Sequence, residues 1–133
     1  MTVDEPTLVV AAVILDGRRV LAAQRAEPPE LAGGWEFPGG KVDEGESEHA
    51  ALIRECREEL GVEIAVGARV GGEWELSAGY VMHAYLASLS VGEPVAKEHL
   101  ALRWLEPEEY FAVNWLGADL PVMAAVADLL AQD

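Results

Sequence analysis

The sequence predicts an α/β fold in which a mixed β-sheet is covered by helices. Three features predict it: extended apolar segments separated by turn signals, one amphipathic helix near the middle of the chain, and a second helix towards its end. With 133 residues, 51% of them hydrophobic, the chain can bury a core. We therefore expect one domain over residues 1–133.

Strands are predicted before the central helix, where β-branched and apolar residues lie between turn signals. Asp16-Gly17 separates two extended segments, which predicts a hairpin. Two Pro and two Gly within residues 26–34 indicate a loop, and Pro38-Gly39-Gly40 breaks the short strand that follows it. In order, these strands are residues 7–15, 20–24 and 35–37.

The central helix is predicted over residues 46–60. Ser47 is its candidate N-cap, and Gly61 is its candidate C-cap. At about 100° per residue, several apolar side chains share one face, which we expect to be buried. This stripe consists of His49, Ile53, Cys56 and Leu60, with Leu52 at its edge.

The second half of the chain predicts further strands and a terminal helix. Pro107 opens a short helical turn, and Pro121 lies at the start of a helix that runs towards Leu130. The predicted strands are residues 62–70, 74–76, 80–89 and 100–105.

Composition argues against several classes of partner. The 24 Asp and Glu against 9 Lys and Arg give a net charge of -15, which repels a nucleic acid polymer. The longest apolar run, residues 8–15, is far shorter than the roughly 20 residues that span a bilayer. Residues 1–6 lack the features of a signal peptide, and Cys56 is the single cysteine. We expect a cytoplasmic protein without a membrane partner, and its oligomeric state stays open.

Three carboxylates lie on a side of the central helix away from the apolar stripe: Glu55, Glu58 and Glu59. Like charges at this spacing repel one another, and a divalent cation reverses that effect. Carboxylate oxygens suit Mg²⁺ or Mn²⁺. Gly40 allows a backbone carbonyl to approach an ion closely, and Lys41 suits a phosphate oxygen. The alternative interpretation is a solvated acidic face paired with neighbouring arginines.

This helix and the turn before it resemble the Nudix box, G-x5-E-x7-R-E-U-x-E-E-x-G-U, where U is a bulky aliphatic residue. The matching residues are Gly40, Glu46 and the segment Arg54-Glu55-Cys56-Arg57-Glu58-Glu59-Leu60-Gly61-Val62. Cys56, at the first U, is the single departure, and a buried Cys packs as a small hydrophobe. The segment QRAEPPELAGGWEFPGGK, residues 24–41, is similar to the MutT-like branch of the family.

The resemblance implies the Nudix fold, an α/β/α sandwich around a mixed β-sheet, and hydrolysis that depends on Mg²⁺, with Mn²⁺ as the alternative ion. The implied substrate is a small-molecule nucleotide, with a triphosphate cut to a monophosphate and pyrophosphate. Other family members act on ADP-ribose or dinucleoside polyphosphates. A noncatalytic nucleotide-binding regulator is an alternative of a different class, but such proteins usually lose glutamates of the box.

Residue roles follow from the resemblance by position. The implied metal ligands are the Gly40 carbonyl, Glu55, Glu58, Glu59 and Glu98. Arg54 would orient Glu55, while Arg25 and Lys41 would contact phosphates. The implied catalytic residues are Arg54, Glu55, Glu58 and Glu98. Whether Glu98 or a glutamate of the box is the general base stays open, and so does a role of Glu98 as a mere loop acid. His99, beside it, is the only histidine that we consider near the site.

Asp119 matches the position at which the MutT branch pairs an asparagine with 8-oxoguanine. An ionised Asp only accepts hydrogen bonds, which favours an exocyclic amine such as cytosine N4. We therefore expect CTP, dCTP or 5-methyl-dCTP more than 8-oxo-dGTP, in nucleotide-pool sanitation. Alternatively, Asp119 caps the last helix. Phe37 either stacks on the base or packs in the core.

Overall fold

The computed structural model describes residues 5–77 and 79–132. The expectation about the N-terminus concerns in part residues 1–4, which lie outside the described residues. The described residues form seven strands and two helices, with a short 3₁₀ turn at Pro107–Glu109. In order, they are β1 (Thr7–Asp16), β2 (Arg19–Gln24), β3 (Trp35–Glu36), β4 (Gly39–Lys41), α1 (Glu48–Leu60), β5 (Glu63–Glu75), β6 (Tyr80–Val91), β7 (Ala101–Leu105) and α2 (Asp119–Leu130).

The mixed sheet is organised around β1. This strand runs parallel to β6, from the pair Thr7 and Tyr80 to the pair Ile14 and Ala87, and antiparallel to β2 and β4. The strand order is β3-β2-β1-β6-β5, with β4 also paired to β1 and β7 to β2. β4 pairs with Val9, Val10 and Ala11 of β1, whereas β2 pairs with Leu15 and Asp16 at its end. Strand β4 therefore lies beside the first half of β1.

Each face of the sheet packs against one helix. Val10, Ala12 and Ile14 of β1 belong to a buried cluster with α1, whereas Ala11 and Val13 belong to a cluster with α2. This alternation is what a strand buried on both faces requires, because successive side chains point to opposite faces. The predicted α/β/α sandwich is therefore confirmed.

The caps of α1 agree with the sequence, while its start differs. The Ser47 hydroxyl accepts the Ala50 N–H at 3.0 Å, and Gly61 ends the helix with φ of 70°. These two caps were predicted, but the helix begins at Glu48 because Ser47 itself is extended. The prediction of a buried His49 was wrong: the buried face is centred on Leu52 and Cys56, and His49 is exposed. The helix is rotated so that Glu59 turns inward.

Strand β4 was not predicted, because Pro38-Gly39-Gly40 indicates the end of the preceding strand and not the start of another. Gly39 nevertheless pairs with Ala11 of β1. A Cβ at Gly39 would come within 2.0 Å of the Val10 carbonyl oxygen, so only glycine allows the chain to pass there. Two other boundaries also differ: β5 continues through the two separate strands expected before residue 77, with bulges, and α2 begins at Asp119.

Within the described part of the chain, no helix is both long enough and apolar enough to span a membrane.

Truncation of the α1 core contact should destabilise the fold. Leu52 is fully buried beneath the helix, so Leu52→Ala should lower the free energy of unfolding by about 2–5 kcal/mol through lost packing and a residual cavity. Leu129→Ala is the matched control, because Leu129 lies on α2 with 42% of its surface exposed. That change should stay within about 0.5 kcal/mol. Urea denaturation measures both, and equal effects would contradict this account of the core.

Candidate active site

A cleft of about 1310 Å³ opens beside β4 and the first half of β1. It is large enough to accept a nucleotide, given that small-molecule sites usually measure about 300–1000 Å³. Of the residues predicted to form a site, the cleft is lined by Arg25, Phe37, Gly40, Lys41, Glu59, Glu98 and Asp119. Arg54, Glu55 and Glu58, on α1, are not among the residues that line it. The structure therefore brings together residues spread over nearly 100 positions of the sequence.

Gly40 brings the β4 backbone against the Glu55 carboxylate. A Cβ at Gly40 would lie 2.5 Å from both Cδ and Oε2 of Glu55, closer than side-chain atoms can approach. Glycine is therefore required if the carboxylate is to rest on the backbone there. The contact sets α1 at a fixed distance from β4.

Arg54 holds the carboxylates on this side of the helix in place. Its Nε and Nη2 donate to the two carboxylate oxygens of Glu46 at 2.8 and 3.0 Å, a bidentate pair. Nη1 donates to Glu55 Oε1 at 2.8 Å and to Glu58 Oε2 at 3.3 Å, while Nη2 also reaches the Lys41 carbonyl at 3.1 Å. Hydrogen bonds to Glu46 and Glu55 raise the pKa of Arg54, so its positive charge is permanent.

Glu46 was predicted only as a fixed position of the motif, without a role. The structure shows what it does, since its carboxylate holds the Arg54 guanidinium that contacts Glu55. Its hydrogen bonds from Arg54 and from the Asp43 backbone lower the pKa of Glu46. The Glu46 carboxylate therefore stays ionised.

Glu59 is the buried carboxylate of the site, with 7% of its surface exposed. Among the described residues, its buried Oε1 has no hydrogen-bond partner. Burial, a hydrogen bond with Glu55 and the nearby charges of Glu55, Glu36 and Glu98 raise the pKa of Glu59 to about 9. A buried carboxyl with one unsatisfied oxygen costs free energy, so this arrangement calls for a cation.

The donors at this point fit a divalent cation. They are hard oxygens, which Mg²⁺, Mn²⁺ and Ca²⁺ prefer, and one of them is buried and unsatisfied. Across residues 5–77 and 79–132, no three His, Cys, Asp or Glu side chains are already gathered as a ligand cluster. Glu55 is nonetheless close enough to Glu59 to raise its pKa, and Glu58 shares the Arg54 guanidinium with Glu55. The three carboxyl groups therefore lie near one another on one side of α1.

Asp119 lines the same cleft as Glu59, and the charge of Glu36 acts on both carboxyl groups. The suggestion that it caps the last helix was wrong, because the N-cap is Ala118 and Asp119 is the first residue of α2. Its side chain accepts a hydrogen bond from the Phe37 backbone N–H. Burial and the charge of Glu36 raise the pKa of Asp119 well above its usual value, and this hydrogen bond opposes them.

Phe37 packs in the core and forms part of the cleft floor. Its ring lies 4.7 Å from the Trp115 ring, and only 4% of its surface is exposed. The core interpretation of this residue therefore describes its main contacts.

The two cations predicted to contact phosphates lie in different parts of the cleft. Lys41 Nζ lies 5.4 Å from the centre of the Tyr80 ring, in a cation–π contact, and both residues line the cleft. Arg25 Nη1 donates to Glu36 Oε1 at 2.9 Å, and its Nε donates to the Glu27 carbonyl at 2.6 Å. Arg25 also lies close enough to Asp119 to lower that residue's pKa. The charge of Arg25 therefore acts on Glu36 and Asp119.

Glu36 and His99 are parts of this cleft that the sequence did not assign. His99 was considered near the site without a role, and Glu36 was not considered. His99 Nε2 lies 3.0 Å from Glu36 Oε2 and 3.8 Å from Glu59 Oε1. Glu36 stands between two aromatic residues of a short strand, a pattern that indicates only a side chain on the opposite face. No local pattern could have shown its partner, which is 63 residues away.

The chain is similar to proteins of one family along most of its length. The family model for the NUDIX domain matches residues 5–126. A Mycobacterium tuberculosis relative, provisionally named 8-oxo-dGTP diphosphatase 2, is 49% identical over 126 residues, which cover 92% of this chain and 89% of that one. The Escherichia coli CTP pyrophosphohydrolase is 42% identical over 125 residues, covering 92% of this chain and 93% of the enzyme.

The architecture agrees with these relationships. The solution structure of the Escherichia coli ORF135 protein superimposes with a TM-score of 0.80 and 41% identity, covering 96% of this chain and 92% of that one. The glutamates on α1, the glycine that contacts them and the mixed sheet between two helices thus occur together with a full-length family match. This chain belongs to the Nudix family of hydrolases, which act on nucleotide substrates with the help of divalent cations.

Proposed function

We propose that this protein is a Mg²⁺-dependent nucleoside triphosphate pyrophosphohydrolase of the MutT-like type. The observation that carries the proposal is the buried carboxylate of Glu59, which adjoins Glu55 and opens into a cleft of nucleotide size. Two relatives, named for the hydrolysis of 8-oxo-dGTP and of CTP, support the choice of a triphosphate. The products would be a nucleoside monophosphate and pyrophosphate.

The proposed ligands of the metal are Glu55, Glu58, Glu59, Glu98 and the Gly40 carbonyl. Bound Mg²⁺, or Mn²⁺ in its place, would neutralise phosphate charge and lower the pKa of an attacking water. Arg54 would keep Glu55 in a productive orientation, since its guanidinium is fixed in turn by Glu46. With a net charge of -15, the chain would otherwise repel a triphosphate.

Glu98 is our candidate for the general base. It is an exposed side chain on the cleft wall, close enough to raise the pKa of Glu59 by its charge. An exposed carboxylate can accept a proton from a water and release it to solvent, whereas Glu55 and Glu59 are held by other groups. Lys41 is the proposed contact for the outer phosphates.

Asp119 is the proposed base-reading residue. Ionised, it would accept from cytosine N4; neutral, it could both accept and donate, as an amide does. Because its pKa is raised, the neutral form extends to higher pH than for an ordinary Asp. We therefore propose (d)CTP or 5-methyl-dCTP, with 8-oxo-dGTP accessible to the neutral form. Removal of such nucleotides from a cytoplasmic pool is the role that we propose.

Removal of the metal should abolish turnover while the fold persists. Activity in Mg²⁺ should disappear in excess EDTA, as measured by pyrophosphate release coupled to an inorganic pyrophosphatase. Glu58→Gln should lower kcat by about 10²–10⁴-fold, since metal binding supplies several kcal/mol of transition-state stabilisation, and nucleotide binding should survive. The matched control is Glu63→Gln, an exposed carboxylate that pairs with Arg57 just beyond α1. Full activity in excess chelator would contradict the proposal.

Glu59 should make the metal-free protein less stable as pH rises. Its folded pKa of about 9 exceeds the ordinary 4.5, so between these values the folded state binds more protons than the unfolded state. The free energy of unfolding must therefore fall with rising pH in that range. Glu59→Gln removes this titration and keeps a side chain of similar size. In EDTA, urea denaturation at several pH values should show that the free energy of unfolding of the variant rises relative to that of the wild type as pH increases.

Addition of Mn²⁺ to the wild type and to Glu59→Gln is the control. Added Mn²⁺ should stabilise the wild type at high pH and have a much smaller effect on Glu59→Gln, because a bound cation acts on the ionised carboxylate. A stability difference that does not change with pH would show that Glu59 titrates normally in the folded protein.

Asp119 substitutions should change base preference more than they change turnover of the triphosphate. Asp119→Ala should lower kcat/KM for the preferred nucleotide by about 10–100-fold, because one base-reading pair contributes roughly 1–3 kcal/mol of discrimination. Asp119→Asn should shift the ratio of activities towards 8-oxo-dGTP. Asp128→Ala, an exposed carboxylate on the same helix, is the control. A panel of canonical, oxidised and methylated triphosphates measures all three, and an unchanged ranking would refute the base-reading role.

A further inference from the structure

The loop between β6 and β7, residues 92–100, is fastened at both of its ends. The N–H groups of Val95 and Lys97 donate to the carbonyls of Leu60 and Glu59 at 3.0 and 3.2 Å, so the loop satisfies the last carbonyls of α1. Leu100 N–H donates to the Gln24 carbonyl of β2 at 2.9 Å. Glu98 and His99 stand between these attachments and face the cleft.

The His99 ring is the part of this loop that enters the molecule. Its side chain is 7% exposed, and Nε2 lies 3.0 Å from Glu36 Oε2 and 3.8 Å from Glu59 Oε1. Glu36 in turn binds Arg25, whose charge reaches Asp119. Glu36 therefore links the His99 ring, which lies next to Glu59, with the guanidinium whose charge acts on Asp119.

The two ring nitrogens have different surroundings. Nε2 faces two carboxylates, while Nδ1 is buried and, among the described residues, has no hydrogen-bond partner. A carboxylate accepts and does not donate, so Nε2 must carry the proton. The contact with Glu36 is then a hydrogen bond from Nε2–H, and Nδ1 contributes nothing to it.

We propose that His99 is a positioning residue, whose Nε2–H binds Glu36 and lies between it and Glu59, thereby holding the loop that carries Glu98 against α1. The proposal rests on the proposed function, in which Glu59 and Glu98 bind the metal. Without the ring, Glu36 and Glu59 would face each other across an unfilled gap, and the loop that carries Glu98 would lose the side-chain hydrogen bond of His99. The main-chain hydrogen bonds of the loop at Val95, Lys97 and Leu100 would remain.

Two conservative replacements separate this role from simple space filling. The side-chain amide of Gln can place an N–H near the position of Nε2, whereas the shorter Asn places it near Nδ1. His99→Gln should therefore keep the contact with Glu36, and His99→Asn should lose it. His99→Leu fills the space without any donor. If His99 only filled space, Leu would be the best replacement of the three.

The first measurement is steady-state kinetics in Mg²⁺ on the best nucleoside triphosphate. His99→Leu and His99→Asn should lower kcat by about 10–100-fold, the usual effect of losing a residue that orients metal ligands, while KM changes less than about threefold. His99→Gln should retain kcat within about threefold of the wild type. Equal kcat values for Gln, Asn and Leu would overturn the proposal.

The second measurement does not depend on activity. Hydrogen–deuterium exchange of the metal-free protein should show faster exchange at the amides of Val95, Lys97 and Leu100 in His99→Leu and His99→Asn, but not in His99→Gln. Titration with Mn²⁺, followed by electron paramagnetic resonance, should show about 10–100-fold weaker binding in the same two variants. Unchanged loop exchange in His99→Leu would overturn the proposal by itself.

His83→Leu is the matched control for general destabilisation. Its ring is also largely buried between two carboxylates, with Nδ1 2.7 Å from Glu48 and Nε2 3.2 Å from Glu73, but away from the cleft lining. This variant should keep wild-type kcat and loop exchange. A wild type inactive on every triphosphate would refute the proposed function, whereas the exchange and Mn²⁺ results would still decide the role of His99.

Discussion

The structure depends on a carboxylate that is buried beside other carboxylates. Glu59 is turned inward against Glu55, and Glu36 and Glu98 add to the negative charge around it. Such a group is stable in its charged form only with a cation, because desolvation and like charges both disfavour ionisation. Arg54 cannot supply that charge, since its guanidinium contacts Glu46, Glu55 and Glu58 instead. The fold thus tolerates the free-energy cost of burying Glu59 at the site where we expect the metal to bind.

The rest of the fold fixes the geometry of this group. Ser47 and Gly61 cap the two ends of α1, and the loop before β7 supplies further partners for the last carbonyls of the helix. Gly40 then sets how closely β4 approaches Glu55. These contacts hold the α1 backbone at both ends of the helix and beside Glu55. A backbone that is held in this way needs less rearrangement when a ligand binds, which is a condition for electrostatic catalysis.

The sequence predicts the parts of this arrangement that are local. The caps of α1 were correct because Ser47 and Gly61 act within one turn of their own positions. The buried face of the same helix was correct for Leu52, Cys56 and Leu60 and wrong for His49, because packing on β1 and β4 also sets the rotation of the helix and turns Glu59 inward. Strand β4 was missed for a related reason: its glycines are needed by a neighbour that is distant in sequence. The pairing of Glu36 with His99 joins residues from separate loops and strands, and no periodicity encodes it.

Two acids that line the cleft, Asp119 and Glu59, differ in what surrounds them. Asp119 has the Phe37 N–H and the charge of Arg25 to offset its desolvation, whereas Glu59 has mainly other acids as neighbours. In the function that we propose, Asp119 would therefore read the base without a metal, whereas a triphosphate beside Glu59 would depend on one, given the net charge of -15. Metal and phosphates would then bind together, because each would reduce the repulsion that the other meets. Since base recognition and metal binding would rest on different residues of one cleft, specificity and catalysis could change separately.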